Sequence, residues 1–334
     1  MSDASADTPD DLTSRARALA TAGAWPEVVR LLQGVVPGAP ATSELQLLRA
    51  ESLTRVGDAR AARAWLHEII PALETRGDRA RHRRALNLLG AACFFLGDLE
   101  EAADAFAAAL EMASAEDDLL ILARATNNLG AIANLRGRHE AALGHYRLAV
   151  PTYQRLGQRR GLAESYHNIA ITYRDIGDLD EADEYERRAI DYAGDGVEPR
   201  VAAMGMIGRA EIALRRGDPL LARGTSERAA AELARLHDPV NEADARRLAA
   251  TAATALGQFA DAEAAFERAL SIARAGGHVL IEAETLRDRA RSRSQRGERE
   301  GALRDADAAV AMFERLGATS EVENLRESMK LPRF

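Results

Sequence analysis

Cysteine and lysine each occur once among the 334 residues. A single cysteine, Cys93, excludes an internal disulfide framework and a cysteine-based zinc site. Lys330 stands alone against 43 arginines, a bias that points to the codon pressure of a GC-rich bacterial genome. Aromatic residues make up 4% of the chain although 47% of it is hydrophobic, so burial must rest on Ala and Leu. Positive charge is not in excess. The 44 basic residues face 52 acidic ones, a formal net charge of -8, which argues against a protein that coats nucleic-acid backbones. No uncharged run approaches the roughly 20 residues that span a bilayer. The acidic opening, Met1 to Asp11, lacks the basic and apolar regions of a signal peptide. The expectation is a soluble, cytoplasmic, helix-rich chain without membrane or nucleic-acid partners.

Signatures of catalysis are also missing. No P-loop, Gly-rich dinucleotide turn, His-Glu-x-x-His or nucleophile elbow occurs, and Gly205-Met-Ile-Gly208 lacks the flanking pattern of such a turn. No two of the histidines (His67, His82, His139, His145, His167, His237 and His278) share a helix face at metal-ligand spacing. Cys93 sits between Ala92 and two phenylalanines, where it reads as a small buried hydrophobe. The acidic run from Asp178 to Glu184 opens a helix, where carboxylates complement the helix dipole, so it reads as a solvated face. Arg287, Arg289, Arg291, Arg293, Arg296 and Arg299 are interleaved with Asp288, Glu298 and Glu300 and with no aromatic for base stacking. They read as a solvated, ion-paired segment. No enzyme activity, cofactor or metal site is expected, and nothing in the chain sets an oligomeric state.

What the chain does contain is a repeat. Gly57, Gly97, Gly137, Gly177, Gly217, Gly257 and Gly297 stand on a strict forty-residue grid, with one further copy at Gly23. A fixed period of this size indicates a solenoid. Five places after each glycine comes a small residue (Ala62, Ala102, Ala142, Ala182, Ala222, Ala262, Ala302), and seven further on comes Ala109, Ala149, Ala189, Ala229, Ala269 or Ala309. Seven before the glycine comes Gly90, Gly130, Ala170, Ala210, Ala250 or Ala290. Small residues at three fixed slots mean two helices that cross closely. Leu86, Leu89, Gly90, Cys93 and Leu96 follow helical spacing. Asp98 with Glu101, and Asp178 with Glu181, predict capping boxes, and Asp218 before Pro219 predicts a cap followed by the first helical position.

These residues resemble the tetratricopeptide repeat (TPR) family, whose pattern carries small residues, Gly, Ala and an aromatic at fixed slots of a helix pair. The aromatic slot reads Leu66, Phe106, Tyr146, Glu186, Ser226, Phe266 and Ala306. The pattern is looser in the sixth and eighth copies, where Arg209 and Arg289 occupy normally apolar slots. The forty-residue period is similar to the long-helix variety found in MalT-like bacterial regulators, kinesin light chains and spindle-orientation adaptors. The resemblance implies an all-α, right-handed α-solenoid of about eight helix pairs (about 9–42, 43–82, 83–122, 123–162, 163–202, 203–242, 243–282 and 283–316). It would be preceded by a disordered tail, 1–9, and followed by a capping helix and tail, 317–334, with the cap near 318–329. The stretch from Val35 to Ala41 reads as a soft hinge.

In this family the first helix of each pair lines a concave groove. The positions that correspond are Arg84, Asn87, Phe94 and Phe95 in the third copy, Arg124, Asn127, Asn128 and Asn134 in the fourth, and Glu164, His167, Asn168 and Arg174 in the fifth. Asparagine is poor in helix interiors, yet five of the seven asparagines fall in these three helices. Asn128 and Asn168 occupy one slot a repeat apart. Stacked asparagines in kinesin light chains and spindle adaptors grip the main chain of an extended peptide, and an amide offers the donor and acceptor that task needs. The alternative is that they bond across to the next helix and hold the stack in register. The resemblance thus implies a non-enzymatic protein- or peptide-binding scaffold or adaptor. A second implication is a regulatory sensor for a small effector or short signalling peptide, acting through a separate output protein. Residues 163–242 hold 17 acids and 10 arginines, which marks one region of the solenoid as acidic.

Overall fold

The computed structural model describes residues 8–37, 43–194 and 198–329. The expected N-terminal tail up to residue 7, residues 38–41 of the expected hinge, and the tail from residue 330 lie outside the described residues. Among the described residues there are 17 helices and no strand. They are α1 (Pro9–Thr21), α2 (Trp25–Leu31), α3 (Ser43–Arg55), α4 (Ala59–Thr75), α5 (Arg79–Leu96), α6 (Leu99–Ala115), α7 (Leu119–Leu135) and α8 (His139–Arg155). Then follow α9 (Arg159–Ile176), α10 (Leu179–Ala193), α11 (Pro199–Arg215), α12 (Pro219–Arg235), α13 (Pro239–Ala255), α14 (Phe259–Gly276), α15 (Val279–Gln295), α16 (Arg299–Arg315) and α17 (Thr319–Met329). This is an α-solenoid of eight antiparallel pairs with α17 as cap.

From α4 onward the helices start at one constant step, at Ala59, Arg79, Leu99, Leu119 and so on to Thr319. That step is half the glycine period, so the glycine grid is half of the punctuation. Gly77, Gly157, Gly277 and Gly317 take the same left-handed turn on the second half-period, and Asp117 (φ 54°) and His237 (φ 52°) adopt it without being glycine. The residue after each turn is the helix cap. Asp58, Asp78, Asp118, Asp178, Asp218 and Asp238 each accept a hydrogen bond from the backbone N–H three places on, at 3.0–3.2 Å. Asp98 does not: Arg63 of α4 draws its carboxylate away at 3.0 Å and also pairs with Glu101. The predicted capping box there is thus replaced by an ion-paired bridge between second helices. At Asp178 only the aspartate half of the box forms, since the Asp178 N–H donates to the Tyr173 carbonyl instead.

The small slots are closed by close packing. Ala62, Ala102, Ala142, Ala182, Ala222 and Ala262 are fully buried. A Cβ placed on Gly90 would stand 2.6 Å from the Phe106 ring, and one on Gly130 would stand 2.5 Å from Tyr146. Each glycine thus makes room for the aromatic of its own pair. Each second helix packs on the first helices before and after it, while the first helices also touch one another along the stack.

The solenoid winds far enough to meet itself. The α3–α4, α5–α6 and α7–α8 turns dock on the starts of α13, α15 and α17. A Cβ on Gly57 would be 2.5 Å from Pro239 Cγ, one on Gly97 3.1 Å from Val279 Cβ, and one on Gly137 3.3 Å from Ser320 Oγ. An apolar cluster crosses the same seam: Leu99 is buried with Phe313, Leu316 and Val322, and Phe94 and Leu135 pack against it. A cleft of about 1070 Å³ runs alongside, between Arg60, Arg63 and Arg136 on one side and Val279, Arg315 and Leu316 on the other. The first helices therefore enclose a lumen instead of an open groove.

Candidate functional site

The lumen is lined by the first helices, and its side chains divide by how far the protein already satisfies them. Several of the residues expected in the groove are engaged internally. Asn127 is buried and its Oδ1 accepts from the Ser165 hydroxyl of the next first helix at 2.9 Å. Asn134 donates to Asp175 Oδ2 at 2.9 Å and its Oδ1 lies 2.9 Å from His139 Nδ1. Arg174 reaches Asp175 at 2.9 Å and Glu211 of α11 at 2.6 Å. His167 is 7% exposed and turned toward its own second helix, where its Nδ1 meets Glu186 at 2.9 Å. Burial alone would lower the His167 pKa, but the Glu186 carboxylate outweighs it and raises it. Glu186 fills the slot that is aromatic elsewhere, and Gly208 of α11 leaves it space. Phe94 meets Phe95 edge-on at 6.0 Å and packs into the seam. Phe95 in turn meets His278.

Others remain available. Asn128 and Asn168 are half-buried, and neither side-chain amide has a hydrogen-bond partner among the described residues. Arg124 is exposed and makes no ion pair there. Arg84 reaches Glu44 only at 3.4 Å. Glu164 pairs with Arg160 at 2.8 Å. Burial pushes the Glu164 carboxyl up, but Arg160, with Arg55 and Arg124, holds it below its usual value. Asn87 is buried with its Oδ1 unpaired. Its counterpart Asn127 is satisfied by Ser165; the position equivalent to Ser165 beside Asn87 is Ala125, which has no hydroxyl.

Two groups lie outside the groove positions expected from the sequence. Arg55 of α3 faces Arg160 and Glu164 of α9 and Arg200 of α11 across the lumen, and burial, with Arg160 beside it, lowers its guanidinium to about 10. Further along, Arg247 pairs with Asp244 and Asp288, both at 2.6 Å, and Arg287 pairs with Asp288 and with Glu321 of α17. Burial, aided by Asp244, lifts the neighbouring Glu284 carboxyl to about 7 against the pull of Arg247. Arg247 and Arg287 occupy the same slot as Asn87, Asn127 and His167, so a polar lumen position recurring from pair to pair, interrupted at Ile207, was visible in the sequence. The arginine run of the eighth pair is ion-paired, as expected, but Arg287 and Arg289 are buried, not solvated: Arg289 lies between Asp305 and Glu267. A normally apolar slot accepts Arg289 because Asp305 faces it at 2.7 Å.

Burial raises the Cys93 thiol to about 12, which keeps it protonated. Among the described residues no cluster of three or more His, Cys, Asp or Glu is placed to hold a metal, and no helix is long and apolar enough to cross a membrane.

Two tetratricopeptide repeat family models match the chain, one over residues 121–194 and the other over residues 84–116 and 245–275. The matches fall on the third, fourth, fifth and seventh pairs and leave out the first, second, sixth and eighth; in the last two Arg209 and Arg289 occupy normally apolar slots. No curated protein matches the sequence. Among solved structures, a Rap protein complexed with competence and sporulation factor is similar over 97% of this chain and 99% of its own, at 13% identity and a TM-score of 0.62. NprR in complex with its cognate peptide NprX is similar over 96% and 95%, at 14% identity and 0.61. The Rap conjugation gene regulator of the plasmid pLS20, in complex with the Phr* peptide, is similar over 86% and 76%, at 13% identity and 0.64. At such identities the likeness is one of fold. Together with the helix pairs, the small slots and the matched repeats, it makes this chain a tetratricopeptide repeat protein.

Proposed function

We propose that this chain is a non-enzymatic peptide-binding scaffold whose lumen, at α5, α7 and α9, holds an extended segment of a partner protein. One observation carries the reading: Asn128 and Asn168, at equivalent positions of successive first helices, present half-buried amides that no other side chain among the described residues uses. An unused amide on a helix interior is poorly suited to stability alone, but it matches the alternating donor and acceptor of an extended main chain. Arg124, free of ion pairs among the described residues, and Arg84, loosely held by Glu44, would meet carboxylates of the ligand. Arg174, Asn127, Asn134 and His167, being satisfied internally, would shape the wall and not touch the ligand.

A narrower version, a regulatory sensor of a short signalling peptide acting through a separate output protein, is favoured by the enclosure of the lumen. A lumen closed by its own seam suits a short segment better than a long one. The similar solved structures of NprR and the pLS20 Rap regulator hold peptides, which supports the same reading.

The test is calorimetric titration with a peptide mapped from a partner captured by the wild-type chain, run alongside a thermal melt. Replacing either Asn128 or Asn168 by Ala strands polar groups of the ligand and weakens binding by about 1–3 kcal/mol, roughly 5- to 100-fold. The double variant Asn128→Ala/Asn168→Ala is expected to lose most of the affinity and to keep its melting temperature. Unchanged affinity with a lowered melting temperature would show that the amides support the stack and that the partner binds elsewhere.

A further inference from the structure

His278 is the least satisfied side chain of the described residues. It is 1% exposed, and neither ring nitrogen has a hydrogen-bond partner. It caps no N–H of α15. Its ring lies at the seam, against Gly57 of the α3–α4 turn, against Gly276 at the end of α14, and edge-on to Phe95 of α5 at 5.8 Å. Pro239 at the start of α13 closes on the same glycine. The imidazole therefore stands where the first turn of the superhelix meets the last.

A neutral imidazole in that place leaves one N–H and one lone pair unpaired. A protonated one would leave two N–H groups and a charge unpaired, which a dry interface tolerates far less. The charged groups around it do not supply a ready counter-ion. Asp58 is occupied in capping α4, Asp238 caps α13 and pairs with Arg200 of α11 at 2.6 Å, Arg60 of α4 is itself cationic, and Arg274 and Glu282 pair with each other at 2.7 Å. From α5 the uncharged Phe95 ring meets it.

We propose that the seam is a proton-operated latch: protonation of His278 parts the α3–α4 and α5–α6 turns from α13 and α15 and opens the lumen sideways, while every helix stays folded. The closed seam excludes the proton because it buries the ring, which is held at about 4 by that burial, with Arg60 adding to it and Asp238 and Asp58 opposing. An opened seam returns the ring to water and to about 6.5. The folded value is the depressed one, so closure is fully favoured above about 6.5 and is lost progressively as the pH falls toward about 4. Over that interval the ratio of closed to open chains falls on the order of 10²-fold. The inference needs no ligand and does not depend on the reading of the lumen as a peptide site.

The experiment follows the radius of gyration by small-angle X-ray scattering from pH 7.5 to 4.5, with far-UV circular dichroism on the same samples. The wild type is expected to expand as the pH falls through 6 to 5 without losing helical signal. His278→Asn, which cannot titrate, is expected to keep one radius across the range. Gly57→Ala, which forces a Cβ against Pro239, serves as the variant open at every pH and sets the radius of the open form. The ring is read directly by NMR, where the His278 signal, assigned by its loss in the Asn variant, should titrate well below the ordinary imidazole value of about 6.5 while the seam is closed. Expansion at the same pH in wild type and His278→Asn, loss of helix together with expansion, or a His278 ring that titrates near 6.5 in a chain that stays compact would each overturn the proposal.

Discussion

At the residue scale, the lumen position that recurs from pair to pair shows how one slot is solved differently along the chain. Asn87, Asn127, His167, Arg247 and Arg287 all occupy it. Asn127 is satisfied by Ser165, His167 by Glu186, and Arg247 and Arg287 by Asp288. Asn87 alone has its Oδ1 buried without a donor, because Ala125 stands where a serine would. Ala125→Ser is therefore expected to donate to Asn87 and to raise stability by about 0.5–1 kcal/mol, the worth of a hydrogen bond less the weaker helix propensity of serine. Chemical denaturation of the two proteins checks it; a loss of stability would mean that Asn87 and Ala125 do not face each other as their counterparts do. The identity of these polar residues was legible in the sequence, and so was their slot. Their partners were not. Whether an amide meets a serine hydroxyl or a ligand depends on a side chain of the next pair and on which way each rotamer turns.

At the scale of elements, the helix pairs were legible because their determinants are local: a left-handed residue, a cap, and small residues where axes cross. The half-period went unread because Asp117 and His237 interrupt the second glycine series, and Asp98 was misjudged because Arg63, on the preceding second helix, competes for its carboxylate. The α9–α10 pair shows the same competition at higher stakes. Glu186 replaces an aromatic and is 1% exposed, held by His167 alone among the described side chains. Removing one partner leaves a buried polar group unmatched, so His167→Leu or Glu186→Leu is expected to cost about 3–5 kcal/mol each. The double variant His167→Leu/Glu186→Leu should be far less destabilised than the sum, since a buried pair exchanged for apolar residues is often nearly neutral. Thermal melts of the four proteins of this cycle read the coupling; additive losses would show that the two side chains act separately.

At the scale of the whole molecule, closure could not be seen in the repeat pattern. A period reports what neighbouring pairs share, and the seam joins positions more than half the chain apart, Gly57 with Pro239 and Gly97 with Val279. An ideal solenoid is a one-dimensional stack in which damage stays near its origin. A solenoid that meets itself adds a long-range contact, so its two ends share one stability. That joining makes the lumen an enclosed surface, lined by the first helices that carry Asn128 and Asn168. The acidic composition of residues 163–242 is partly taken up within this enclosure, where Glu211 and Asp175 serve Arg174.

Closure is tested most directly by native-state hydrogen exchange of Gly57→Ala against the wild type. The new Cβ meets Pro239 Cγ at 2.5 Å and forces an alanine into φ +81°, a conformation costing an L-residue about 1–2 kcal/mol. If the chain closes on itself, amides of α13 and α15 lose protection together with those of α3 and α4, while α7 to α10, between them in sequence, stay protected. Lost protection confined to α3, α4 and their immediate neighbours, with α13 and α15 unchanged, would show an open stack and contradict the account.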